Sequence, residues 1–206
     1  IVKDFIDYTI DIISETDENI QLMYGINKDK KLTETHLGNL SAYETSRPFR
    51  IGNAAYTQKQ NDINGILMVA LHIELVEFPL LFEKKEELWS IVKNIVWIVN
   101  NNWFLPDKGI WEIREEEKHF TFSKVLCWVA IDRAIKIADF LGKNKDKWIV
   151  LREEIKNDIH QKAWNPSVGL ISAVVSLLLL LTFWHRYLII GVVIDVVILA
   201  TLIFTE

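Results

Sequence analysis

One connection in the sequence carries a carboxylic acid in a setting suited to proton transfer. Residues 106–112 read Pro-Asp-Lys-Gly-Ile-Trp-Glu, a turn that places Glu112 directly after Trp111 and outside any helix face. An indole that withdraws a carboxyl group from water disfavours the ionised form, which is how a general acid is tuned. The alternative is a solvated acidic loop in which Trp111 plugs the core.

The rest of the composition excludes several other kinds of chemistry. The 206 residues contain 23 Lys and Arg against 28 Asp and Glu, a net charge of −5, so nucleic-acid binding is not expected. The five histidines lack the spacing of a metal site, and we expect no metal and no cofactor. Cys127 is the lone cysteine, which excludes an internal disulfide and predicts a buried thiol.

Apolar residues recur at helical spacing on both sides of this connection. No stretch of alternating polar and apolar residues is long enough to predict a strand. The pattern predicts an all-α fold with a long ordered loop over residues 15–50. In the helix before the connection, one stripe is formed by Leu88, Ile91, Val92, Ile95 and Ile98. Helices are predicted at residues 1–13, 54–75, 84–101, 121–141 and 145–163, with Gly142 ending the fourth.

Three separated segments occur in order along the chain: Ser46–Ala55 with the following Gln58, Gln60, Asp62 and Gly65; then Gly109–Glu112; then His119–Ala134. Together they resemble glycoside hydrolase family 15, the family of microbial glucoamylase-like proteins and trehalases. The resemblance covers roughly residues 1–169, and Leu22–Ile26 also fits it.

The resemblance implies part of an (α/α)6 toroid, with a pocket in which an inverting glycosidase releases glucose from non-reducing ends. It places Glu112 on the general acid of the family and Trp111 on the indole that walls the cleavage subsite. It also implies further contacts with an α-glucan or disaccharide substrate, from Tyr56, Gln60, Asp62, Arg47 and Arg50. Fungal members carry a second acid after the general acid, and Ile113 stands there instead.

Two parts of the family's machinery have no match in these residues. The Arg-Asp pair that grips the terminal glucose is expected upstream of Ile1, and the general base well beyond residue 170. Inverting hydrolysis needs both carboxyl groups. We therefore expect a glucoamylase-like hydrolase acting on α-glucans or maltooligosaccharides, with an α,α-trehalase and an inactive truncated fragment as alternatives.

The last 39 residues are a different kind of polypeptide. Residues 1–167 are expected to form part of the catalytic domain, whereas residues 168–206 hold only Arg186, Asp195 and Glu206 as charged side chains. One or two apolar helices are expected here. They are a transmembrane segment, the product of a disrupted reading frame or gene fusion, or a divergent segment of the catalytic domain. The expected location is the cytoplasm, or the membrane if this tail is genuine.

Overall fold

Helices dominate the described part of the chain. The computed structural model describes residues 8–9, 11–13, 20–40, 43–77, 85–163, 165–182 and 189–204. Its helices are α1 (Ile63–Glu77), α2 (Lys85–Asn102), α3 (Thr121–Leu141), α4 (Asp146–Ala163), α5 (Pro166–Thr182) and α6 (Ile189–Phe204), and its short antiparallel strands are β1 (Thr35–His36) and β2 (Arg50–Ile51). The all-α prediction is confirmed. The helix predicted over residues 1–13 lies mostly outside the described residues.

Helices α1, α2 and α3 pack together within a compact unit that spans residues 1–157. The stripe predicted along α2 is its buried face, because Leu88, Ile91, Val92, Ile95 and Ile98 are between 0% and 3% exposed. The neighbouring helices also contribute fully buried residues, Met68 and Leu75 of α1 and Ile131 and Ile137 of α3. The helical period of the apolar residues therefore builds the core of this unit.

Helix α3 begins and ends at the predicted residues. It ends at Gly142, whose φ of 64° and ψ of 33° are left-handed, and the Gly142 N–H bonds the last turn of the helix. The next amide, of Lys143, donates to the Ala138 carbonyl at 2.8 Å. These bonds satisfy carbonyls that the helix end leaves without intrahelical partners.

The prediction of one continuous helix over residues 54–75 is wrong for its first part. Ala54–Thr57 form a single 3-10 turn, and α1 begins only at Ile63. Between them the Asn61 N–H donates to the Asp107 carboxylate at 2.8 Å. Because this bond reaches a segment 46 residues away, that backbone donor serves a tertiary contact here and not a helix.

Asp132, on α3, is the centre of an ion-pair network at the edge of the core. Its Oδ2 lies 2.5 Å from Arg133 Nη1 and 2.9 Å from Lys136 Nζ, and its Oδ1 lies 3.3 Å from Arg152 Nη1 of α4. Burial raises the pKa of Asp132, but the hydrogen bond to Lys136 and the charges of the three cations together lower it below its ordinary value. The charged form thus stabilises the contact between α3 and α4.

This network predicts a pH-dependent stability. A carboxyl group whose pKa is lowered by folding contributes stability above its unfolded pKa and loses it as the pH falls through the folded pKa. We expect Asp132→Asn to lower the free energy of unfolding by about 1–2 kcal/mol at about pH 7, because three charge-assisted bonds weaken. The difference from wild type should shrink as the pH falls below the ordinary pKa of an aspartic acid, about 4, and through the lowered pKa of folded Asp132, because the carboxyl group then becomes neutral like the amide. Urea unfolding over a series of pH values measures it, and a difference that does not change with pH would contradict the assignment.

The compact unit also exposes large apolar side chains. Trp97, Phe104 and Ile73 are 51%, 52% and 50% exposed, and Ile66 and Phe140 are about as open. These side chains form exposed apolar surface on the described part of this unit.

Residues 158–206 form a second compact unit, in which α5 and α6 pack against each other. Two apolar helices are therefore present in the tail. Within the described residues, no single helix has both the length and the apolar composition needed to cross a membrane, and only one bent pair, α4 with α5, meets that test jointly. The predicted transmembrane segment is thus not supported by a spanning helix.

Candidate active site

The acid loop, residues 108–117, is closed at its base by a two-residue bridge. The Asp107 N–H donates to the Lys118 carbonyl at 3.0 Å, and the Lys118 N–H donates back to the Asp107 carbonyl at 2.9 Å. Inside the loop, Gly109 has a φ of 62° and lies so close to the Phe120 ring that a Cβ there would sit 2.8 Å from it. The loop is therefore a closed, defined structure.

Asp107 and Asn61 attach the base of the acid loop to the segment that precedes α1. Asp107 is 1% exposed, and its Oδ2 accepts the Asn61 N–H at 2.8 Å. The Asn61 side-chain amide in turn donates to the carbonyls of Asn102 and Leu105, at 3.2 and 3.3 Å. One buried side chain from each segment thus holds the two together, which the sequence pattern alone did not indicate.

Glu112 lies half-buried at the tip of the acid loop in an unusual backbone conformation. Its φ is 51°, in the left-handed region that costs a residue with a Cβ about 1–2 kcal/mol. Two contacts hold it there: its N–H donates to the Gly109 carbonyl at 3.2 Å, and its carbonyl accepts the Gln58 Nε2 at 3.2 Å. Backbone strain of this kind is concentrated at functional sites in proteins.

A cavity of about 500 Å³ opens beside the segment that holds the acid loop. Two of the predicted substrate-binding residues, Tyr56 and Gln60, line it together. The wall is rich in amides, which also come from Gln21, Gln58, Asn61 and Asn64. These amides make the wall polar, and those of Gln21, Gln58 and Asn61 already donate to backbone carbonyls of the protein.

Trp111 is not part of that wall. It is 82% exposed, so among the described residues its indole does not cover Glu112 as the sequence predicted. The alternative, an indole that plugs the core, is wrong for the same reason. An exposed indole beside the acid remains free to stack on the apolar face of a sugar, and its role in the cleavage subsite stays a prediction.

Asp62 is buried and is not among the residues that line the cavity. It is 2% exposed, and burial, followed by the nearby charge of Asp107, raises its pKa. Cys127 lies next to the same carboxylates and is buried as predicted. Burial first, and then Asp107 and Asp62, raise the pKa of the thiol to about 12, which makes it unreactive.

Of the two predicted arginines, Arg50 begins strand β2 and Arg47 lies three residues before it. Arg47 is exposed, and Arg50 pairs with Glu34, with 3.5 Å between Arg50 Nε and Glu34 Oε1. Glu34 also receives both terminal nitrogens of Arg114 from the acid loop, at 2.9 and 3.4 Å. The hydrogen bond with Arg114 lowers the pKa of Glu34, so this carboxylate is a charged anchor for the loop.

The acid loop and the amide-lined cavity are thus joined through Gln58 within an all-α unit. Residues 4–177 match the model of glycosyl hydrolases family 15, and the chain belongs to this family. The match continues past residue 167, where the catalytic part was expected to end.

Trehalases from bacteria and archaea are similar to this chain over most of its described length. The trehalase of Mycolicibacterium smegmatis is 43% identical over 144 residues, which are 68% of this chain and 21% of that protein. The trehalase of Mycobacterium tuberculosis is 41% identical over 142 residues, 68% of this chain and 20% of the relative. That of Thermoplasma acidophilum is 34% identical over 167 residues, 78% of this chain and 27% of the relative.

The chain thus spans between a fifth and about a quarter of the length of these relatives. No solved structure matches it significantly.

Proposed function

We propose that the protein hydrolyses the glycosidic bond of trehalose and that this chain supplies the general acid, Glu112. The observation that carries the proposal is the attachment of the acid loop to the cavity segment: Gln58 lines the cavity and also bonds the backbone carbonyl of Glu112. The loop that carries the acid is thus tied to one wall of a polar, concave surface. A glycosidase needs an acid and a sugar-binding cavity close together.

The choice of trehalose over longer α-glucans rests on the relatives. The three compared above are each named trehalase, at identities of 34% to 43%. The sequence alone favoured a glucoamylase-like activity and held trehalase as the alternative; the relatives favour the alternative. Tyr56 and Gln60 are proposed to contact the sugar from the cavity wall, and Trp111, Arg47 and Arg50 from the exposed side of the acid loop.

In the proposed reaction, Glu112 donates its proton to the oxygen that bridges the two glucose units. The bond from this oxygen to one anomeric carbon breaks, and a water activated by a second carboxylate attacks that carbon from the opposite face. The water's proton passes to the base. One glucose therefore leaves with its α configuration, and the other is released as the β anomer. No cofactor is needed for this proton transfer.

The test compares two substrates with the protein at its native length. We expect glucose to be released from trehalose, with equal initial amounts of the α and β anomers by proton NMR, and little from maltotriose. Release from maltotriose without cleavage of trehalose would instead support the glucoamylase-like activity. Exclusive release of the α anomer would contradict inversion.

The 206-residue chain assayed alone addresses the third alternative, an inactive fragment. Because inversion needs a base as well as an acid, we expect no turnover of trehalose by residues 1–206. Turnover that is abolished by Glu112→Gln would show that a second carboxylate lies within these residues.

A further inference from the structure

The sequence motif around residue 58 includes a glutamine to which the resemblance gives no role. Gln58 follows the 3-10 turn at Ala54–Thr57, and its own N–H ends that turn by donating to the Ala55 carbonyl at 2.9 Å. Its side chain points away from the turn and across to the acid loop. Nε2 lies 3.2 Å from the carbonyl oxygen of Glu112 and 3.3 Å from that of Ile113.

The orientation of this amide follows from its partners. Both neighbours are carbonyl oxygens, which only accept, so the nitrogen and not the oxygen of the Gln58 amide must face them. The two carbonyls belong to the two consecutive peptide units that follow Glu112. The two contacts therefore act on the residue whose φ of 51° lies in the left-handed region.

The direction of the Glu112 side chain depends on that backbone conformation. A change from the left-handed to the right-handed region would rotate the Cα–Cβ bond relative to the loop and carry the carboxyl group elsewhere. Asp107 fixes the base of the loop and Glu34 fixes Arg114, but neither contacts the backbone of the acid. Gln58 does contact it.

We propose that Gln58 is a positioning residue, whose amide holds the backbone of Glu112 so that the acid faces the bridging oxygen of the substrate. The inference rests on the proposed function. Gln58 touches neither the proton nor the reacting atoms in this role. It acts by keeping the general acid in the productive geometry, where a displacement of about 1 Å costs about a hundredfold in rate.

The experiment uses two substrates that differ in their need for an acid. Trehalose loses a sugar alkoxide, which must be protonated as it leaves, whereas α-glucosyl fluoride loses fluoride, which needs little assistance. Gln58→Glu keeps the shape but replaces the donor by an acceptor, and Gln58→Leu removes hydrogen bonding. In the native-length protein, both should lower kcat on trehalose by about a hundredfold with little change in KM, and kcat on the fluoride by less than about threefold.

An equal loss on both substrates would overturn the proposal, because a general disturbance of the pocket does not distinguish leaving groups. Unchanged kcat on trehalose in both variants would overturn it as well. Gln161→Leu, at an exposed glutamine of α4, is the matched control and should leave both rates unchanged.

A second measurement separates failure of this proposal from failure of the proposed function. In the 206-residue chain, trypsin cleavage after Arg114 reports how firmly the acid loop is held, and Gln58→Leu should accelerate it about tenfold. If the wild-type protein cleaves neither substrate, the proposed function fails, and the trypsin rates still decide whether Gln58 holds the loop. Unchanged cleavage after Arg114 would overturn the positioning role in either case.

Discussion

Glu112→Gln is expected to lower kcat on trehalose by about a thousandfold, the largest effect of any substitution in this chain. Glutamine has nearly the same shape as glutamic acid and keeps the backbone contacts of the loop, but it has no acidic proton to give to the bridging oxygen. General acid catalysis by a positioned side chain contributes about 10²–10⁴-fold to the rate. Initial-rate kinetics of the native-length protein on trehalose measure the loss.

A second substrate with a different leaving group shows whether the lost rate was the contribution of a proton donor. On α-glucosyl fluoride the same variant should retain much of its activity, because fluoride departs without protonation. The matched control is Glu117→Gln, an exposed acid of the same loop, which should keep both activities. A loss below about tenfold on trehalose would remove Glu112 as the acid. Equal losses on the two substrates would indicate a structural role.

The helices could be predicted from sequence because their signals are local. The stripe at Leu88, Ile91 and Ile95 needs only the helical period and the burial of apolar groups, and the end at Gly142 needs only a residue that tolerates positive φ. The start of α1 was predicted too early, because the Asn61 N–H bonds the Asp107 carboxylate, 46 residues further along the chain, and not a carbonyl of a helix. No local pattern carries that information.

The candidate site shows the same division between local and distant causes. Glu112, Tyr56 and Gln60 were proposed from their motifs, and the structure places Tyr56 and Gln60 in one cavity. The exposure of Trp111 and the pairing of Arg50 with Glu34 depend instead on how loops meet. Gln58 was passed over because its partners lie 54 and 55 residues away. Its signal in the sequence is its place in a polar run just before a helix, which indicates a functional segment without indicating its contact.

The packing of α1 on α3, which supports the cavity segment, gives the largest expected effect on stability. Gly65 in the first turn of α1 lies against the backbone of α3, and a Cβ there would be 2.4 Å from the Leu126 carbonyl oxygen and 2.8 Å from the Leu126 Cβ. Backbone cannot yield as a flexible side chain can, so the helices must move apart. We expect Gly65→Ala to lower the free energy of unfolding by about 2–3 kcal/mol, measured by urea unfolding of the 206-residue chain.

The sign of the change in the free energy of unfolding shows whether the close packing of α1 on α3 or the helix propensity of residue 65 dominates. At an open helix position, alanine stabilises by about 1 kcal/mol relative to glycine, the opposite sign. Gly38→Ala is the control, because the added Cβ meets no atom within 4 Å, and its effect should stay within about 0.5 kcal/mol. A higher free energy of unfolding for Gly65→Ala would contradict the close contact between α1 and α3. The segment at residues 58–61, which holds the acid loop, would then lack the firm support that the positioning of Glu112 requires.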